Sequence, residues 1–128
     1  MQNPRNLKVR REARALAVAT YRLTAGFPTH ERFGLTSQMQ RAAVSVGSNI
    51  AEGCGGRSDR AMVAYLRHAV GSLNELEFQL EVATQLSYCE SVQSLALLSQ
   101  LRSARRMLVG LTRQCEGARR TTPDLLTF

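Results

Sequence analysis

Apolar residues recur along this chain at alternating three- and four-residue steps, the spacing that gathers them onto one stripe of an α-helix. Val9, Ala13, Leu16, Thr20, Leu23 and Phe27 form the first series, and Pro28 ends it. Together they predict a helix over residues 6–25. Leu35, Met39, Ala42, Val46 and Ile50 form the second, predicting a helix over 36–54 with Thr36 or Ser37 as N-cap, closed by Gly53, Gly55 and Gly56. The third series is the longest: Met62, Leu66, Ala69, Leu73, Leu76, Leu80 and Ala83 keep step behind Ser58 as cap, which predicts a helix reaching residue 86. Leu97, Leu101, Ala104, Leu108, Leu111 and Cys115 form the fourth, capped by Ser91 and stopped before Gly117 and Pro123.

No stretch alternates apolar and polar residues with period two for long enough to predict a strand. Four helices with short connections predict an all-α fold, an antiparallel up-down-up-down four-helix bundle over residues 1–118. Residues 119–128 are expected to form a mobile polar tail. At 128 residues the chain makes one domain, which buries roughly two-thirds of its unfolded surface. Aromatics contribute 5% and Trp is absent, so the core is expected to be close-packed aliphatic side chains.

Beside their apolar seams the second and third helices carry polar ridges. Arg41, Ser45, Ser48, Asn49 and Glu52 step along one, and His68, Ser72, Glu75 and Gln79 along the other. Facing ridges of this kind satisfy one another within the bundle or between subunits. Arg41, Asn49, Glu52 and Glu75 are therefore expected to form a structural polar network rather than a catalytic site.

Enzyme chemistry finds no foothold in these patterns. A di-metal bundle needs Glu-x-x-His motifs, and no Glu stands three residues before His30 or His68. Cys54, Cys89 and Cys115 are odd in number and lack a CxxC pair, which signals ordinary thiols and neither a disulfide framework nor a zinc site. The Gly53 to Arg57 segment lacks the spacing of a phosphate loop and follows a helix, so it reads as a helix-helix turn. Arg57, Ser58 and the amides after them can still hold one phosphate of a larger nucleic acid. The expectation is a non-enzyme without metal or cofactor.

Charge is what points to a partner. The chain carries 17 basic residues against 10 acidic ones, a net charge of +7, and Lys8 is the one lysine among the basic residues. Its distribution follows the helices. Residues 1–34 hold seven basic and two acidic residues and 91–128 hold six and two, whereas 58–90 hold two and five. The basic residues of the first helix and those of the fourth can merge into one positive face, because first and last helices of such a bundle are often neighbours. Lys8, Arg10, Arg11, Arg14, Arg102, Arg105, Arg106 and Arg113 are the expected contacts to RNA or DNA, with Arg22 and the Arg119-Arg120 pair adding to the field. With no aromatic residues interleaved in these stretches, the expected contacts are to phosphate rather than to bases. The alternative is a protein-interaction scaffold or accessory subunit whose surface charge serves solubility. Residues 1–14 lack the apolar core of a signal peptide and no apolar run approaches roughly 20 residues, so a cytoplasmic protein without membrane contact is expected.

Two stretches also resemble a known family. Phe27-Pro28, the run from Glu31 to Met39, Arg41 to Ser45 and Asn49 to Gly53 resemble its central signature, and Gly71 to Glu77 with Gln79-Leu80 is similar to its third-helix motif. The family is the four-helix bundle proteins named for intervening sequences of the large-subunit ribosomal RNA gene. These are similar in fold to the accessory variability proteins of diversity-generating retroelements, basic pentamers that engage nucleic acid. The resemblance implies a bundle assembled as a ring-like homopentamer and supplies no catalytic residue. Val9-Arg10-Arg11 departs from the family's usual aromatic position, and Ser45-Val46-Gly47 from its usual Ser-Ile-Pro turn.

Overall fold

The structure, a computed structural model, describes residues 4–126, with side-chain surroundings given for residues 4–117. Four long helices make up nearly all of it: α1 (Pro4–Thr24), α2 (Leu35–Gly53), α3 (Asp59–Gln85) and α4 (Ser91–Leu126), with a single 3-10 turn at Thr29–Glu31. No strand occurs among the described residues. The fold is all-α, and none of these helices is long and apolar enough to cross a membrane.

Each helix packs on two others, α1 on α2 and α4, and α3 on α2 and α4. The contacts fix their register. A Cβ placed on Gly47 would lie 3.9 Å from Ala13 Cβ, while Gln40 Nε2 donates to Thr24 Oγ1 at 3.1 Å. Between α3 and α4, Arg67 meets Glu116 and Glu77 meets Arg105. Arg5 Nη1 donates to Gln114 Oε1 at 2.5 Å, tying the start of α1 to the far part of α4.

The apolar seams converge as their spacing dictates. Leu16, Met39, Ile50, Leu66, Leu73, Leu76, Leu101 and Leu108 lose essentially all exposure, and Leu35, Met62 and Cys115 pack at the margin. Thr20, Thr24 and Thr112 are buried too, and each hydroxyl donates to the carbonyl four residues before it. A buried hydroxyl with such a partner costs little. Val63 and Gln79 are buried as well, although the strict seam of α3 passes them by.

Helix ends differ from expectation in three places. Ser58 caps α3 as expected, its hydroxyl accepting from Ala61 N at 3.2 Å. Thr36 and Ser37 do not cap α2. The helix begins at Leu35, and the Glu31 carboxylate reaches across the loop to accept from Leu35 N at 3.1 Å. Ser91 is itself the first residue of α4, and Gln93 Oε1 accepts from Glu90 N at 3.3 Å in place of a serine cap. Finally, α4 does not stop at Gly117 but stays helical to Leu126. The backbone of 119–126, assigned from sequence to the tail, thus continues α4, while those side chains and residues 127–128 lie outside what is described.

Candidate nucleic-acid interface

The basic residues of α1 and α4 divide between two grooves, because a helix touching two neighbours shows a different flank to each. On α4, positions 102 and 105 face α3 and position 106 faces α1. Arg105 donates to Glu77 of α3, and Arg102 Nη2 lies 3.7 Å from the same carboxylate. With the Arg105 hydrogen bond as the main cause, Glu77 is held below the usual carboxylate range. These two arginines, expected from sequence to face nucleic acid, are engaged inside the chain instead.

The α1–α4 seam is different. A hollow of about 280 Å³ is lined by Arg5, Lys8 and Val9 from α1 and by Arg106, Met107, Gly110 and Leu111 from α4. Gly110 lacks a side chain and nothing lies within 4 Å of where its Cβ would be, so the groove stays open there. Further along, Arg11, Arg14, Ala15, Val18, Ala19 and Arg22 line a second hollow of about 470 Å³ with Gln100. Arg22 also borders a third, of about 220 Å³, against Gln93, Ala96 and Leu97. From Lys8 to Arg22 is fourteen residues of helix, or about 21 Å.

Within this row Lys8, Arg11, Arg14, Arg22 and Arg106 make no ion pair or hydrogen bond among the described residues. The contrast with α3 has a simple origin. Acidic residues are concentrated on α3, and α1 carries Glu12 alone. Arg113 is likewise exposed and without a described ion pair. Arg10 is exposed but sits within electrostatic reach of the Cys54 thiol, at the end of α2 and off the seam.

Of the expected polar network Asn49 is engaged, joined by Ser45, Ser72 and His68 of the same ridges. Asn49 Nδ2 donates to Ser45 Oγ at 3.1 Å, Ser45 and Ser72 hydroxyls meet at 2.9 Å, and Ser72 donates to His68 O at 3.2 Å. The serine pair stitches α2 to α3. Arg41 is exposed and meets neither Glu52 nor Glu75. Glu52 instead pairs with Arg57 at 2.7 Å, and Glu75 accepts from Gln79 Nε2 at 3.2 Å. Sequence spacing gives the face of a helix but not which residues face each other across it.

Sequence reasoning passed over a cluster at the loop end of the bundle. Tyr88, between α3 and α4, donates to Glu31 Oε2 at 2.8 Å, packs tilted against Phe27 with ring centroids 5.4 Å apart and meets His30 edge-on. The Leu35 amide and then this phenol hold Glu31 below the usual carboxylate range, and Glu31 in turn pushes Tyr88 up. Both oxygens of Glu31 are committed to joining loops, so the cluster reads as a clamp. At the opposite end, Cys115 Sγ lies 3.6 Å from Met62 Sδ, and burial pushes the Cys54 and Cys115 thiols up. Thiols so shifted are poor nucleophiles. No group of three or more His, Cys, Asp or Glu side chains that could hold a metal occurs among the described residues.

Comparisons with known proteins agree with this architecture. Residues 5–110 match a family described as 23S rRNA-intervening sequence protein. A 1.70 Å crystal structure from Bacteroides thetaiotaomicron, of a protein with unknown function from the S23 ribosomal protein family, superposes with a TM-score of 0.79. It is 21% identical, over 85% of this chain and 98% of that one. At that identity the likeness concerns the fold. No curated protein matches the chain.

Proposed function

The chain belongs to the 23S rRNA-intervening sequence protein family, and on that footing we propose that it is a non-enzymatic helical bundle that associates with RNA or DNA in the cytoplasm. The contact surface is the α1–α4 seam. What carries the reading is the row of cations on that seam, Lys8, Arg11, Arg14, Arg22 and Arg106, left without ion-pair partners while the arginines facing α3 are engaged. Unpaired guanidinium groups on a rigid helix offer bidentate donors to phosphate at little conformational cost. Such contacts position a nucleic acid without reading its sequence.

The proposal includes an up-down-up-down arrangement of the helices and a ring-like homopentamer, the assembly implied by the family resemblance. A ring repeats the cationic seam around its circumference, and repeated weak sites raise avidity without any new contact. In this reading the exposed Arg41 and Glu75 belong to subunit contacts.

Electrophoretic mobility shifts across a salt series test the proposal. Five phosphate contacts predict that affinity falls roughly 10²-fold between about 50 and 200 mM salt. Absence of binding to RNA and DNA at about 50 mM salt overturns it.

A scaffold or accessory-subunit role is the second reading. It is favoured by Phe33, Leu86, Val92 and Leu95, which are half or more exposed in or beside the loops at one end of the bundle. A partner retained in a pull-down after nuclease treatment supports that reading; loss of all partners with the nucleic acid opposes it.

A further inference from the structure

Tyr21, an aromatic beside Arg22 that the expectation of phosphate contacts alone left out of account, sets the basic face of α1 apart from a plain phosphate-binding face. The chain has three tyrosines. Tyr88 is bonded to Glu31, and the Tyr65 ring is covered by the Arg57 guanidinium at 5.1 Å. Among the described residues Tyr21 alone of the three has neither a ring contact nor a bonded hydroxyl, and it is 47% exposed. Its position is specific. Arg14, Val18 and Tyr21 stand at i, i+4 and i+7 on α1, so the ring shares a ridge with one cation of the row and directly precedes Arg22, although it lines none of the three hollows of the seam itself. Val18, 43% exposed, continues the apolar surface from the ring toward the floor formed by Ala15 and Ala19.

A ring with an open face beside a line of cations matches how single strands are held. Cations track one backbone, while an aromatic side chain stacks on a base whose face is free. A duplex keeps base faces inside its stack and has no use for such a ring. The cations also form one line along α1, about 21 Å from Lys8 to Arg22, as one strand requires. Resting on the reading above, we infer that the outer face of α1, with the seam cations on one flank and Tyr21 on the other, selects single-stranded nucleic acid over duplex, with Tyr21 stacking on one unpaired base.

The experiment measures fluorescence anisotropy of labelled single-stranded RNA and DNA oligonucleotides of about 12 nucleotides, and of their duplexes, at about 50 mM salt. Wild-type protein, Tyr21→Ala, Tyr21→Phe and Lys8→Ala are compared, with thermal melts confirming that each variant folds. Tyr21→Ala is expected to weaken single-strand binding about tenfold and leave duplex binding unchanged. Tyr21→Phe, which keeps the ring, is expected to retain the wild-type preference, and Lys8→Ala to weaken both substrates. If Tyr21→Ala binds single strands as tightly as wild type while Lys8→Ala loses affinity, the stacking inference is overturned and the phosphate-binding face stands. If wild-type protein binds neither substrate, the parent reading falls and this inference with it.

Discussion

Glu31 shows how much one side chain settles. It stands in for the missing N-cap of α2 through Leu35 N and holds the α3–α4 loop through Tyr88, and both contacts require the ionised carboxylate as acceptor. A carboxyl whose folded pKa is lowered contributes stability above its unfolded pKa and loses it as pH falls through the folded value. Glu31→Ala is therefore expected to melt below wild type at neutral pH, and the gap to shrink as the pH drops below the usual carboxylate range. Melting curves from pH 7 down to about 3 check this; a gap independent of pH contradicts the role. The cap was hidden in the sequence because a carboxylate four residues upstream of a helix, across a turn, lies outside the usual cap spacing. Gly53 is a second decisive position. A Cβ there would lie 3.0 Å from Tyr65 Cβ and 3.4 Å from Met62 O. Gly53→Ala should cost about 1–3 kcal/mol by forcing α2 off α3, read from denaturant unfolding.

Among the elements, the helical seams were legible and their ends were not. Periodicity located the four helices and nearly all the buried positions, because burial of one stripe is a property that repeats every turn. Glycine and proline signals are local penalties, about 1 and 3 kcal/mol in a helix interior. At Gly117 and Pro123 they do not break the backbone of α4. The same limit explains Arg102 and Arg105. Sequence places them on the basic helix, but only the packing of α4 on α3 brings them to Glu77. Glu77→Gln should lower stability by about 1 kcal/mol. It should also strengthen nucleic-acid binding, since two arginines lose their intramolecular partner. Unchanged affinity would mean that the α3-facing flank of α4 takes no part even when free. Within the core, Leu73→Ala or Leu101→Ala should cost about 2–5 kcal/mol, since both side chains are fully buried.

For the whole molecule, the charge of +7 gains meaning only once it is placed. Glu77 of α3 engages Arg102 and Arg105, whereas Lys8, Arg11, Arg14, Arg22 and Arg106 of the α1–α4 seam keep no ion pair among the described residues. Composition reported the excess, and helix-by-helix counting reported the polarity of the bundle. Which cations remain unpaired is a product of tertiary packing, and so is the exposure of Tyr21 among them. Assembly is checked by light scattering: about five times the 14.2 kDa chain mass is expected for the proposed ring, and a monomer mass contradicts it.

If function resides in the cations of the α1–α4 seam, removing them and removing the α3-facing arginines should have different consequences. The nucleic-acid affinity of a Lys8→Ala, Arg11→Ala, Arg14→Ala triple variant is measured beside that of an Arg102→Ala, Arg105→Ala double variant at about 50 mM salt. The seam variant should lose roughly 10²-fold or more in affinity and flatten the salt dependence, while the α3-facing variant should bind like wild type. Equal losses in both variants, or none in the seam variant, would contradict that placement of function.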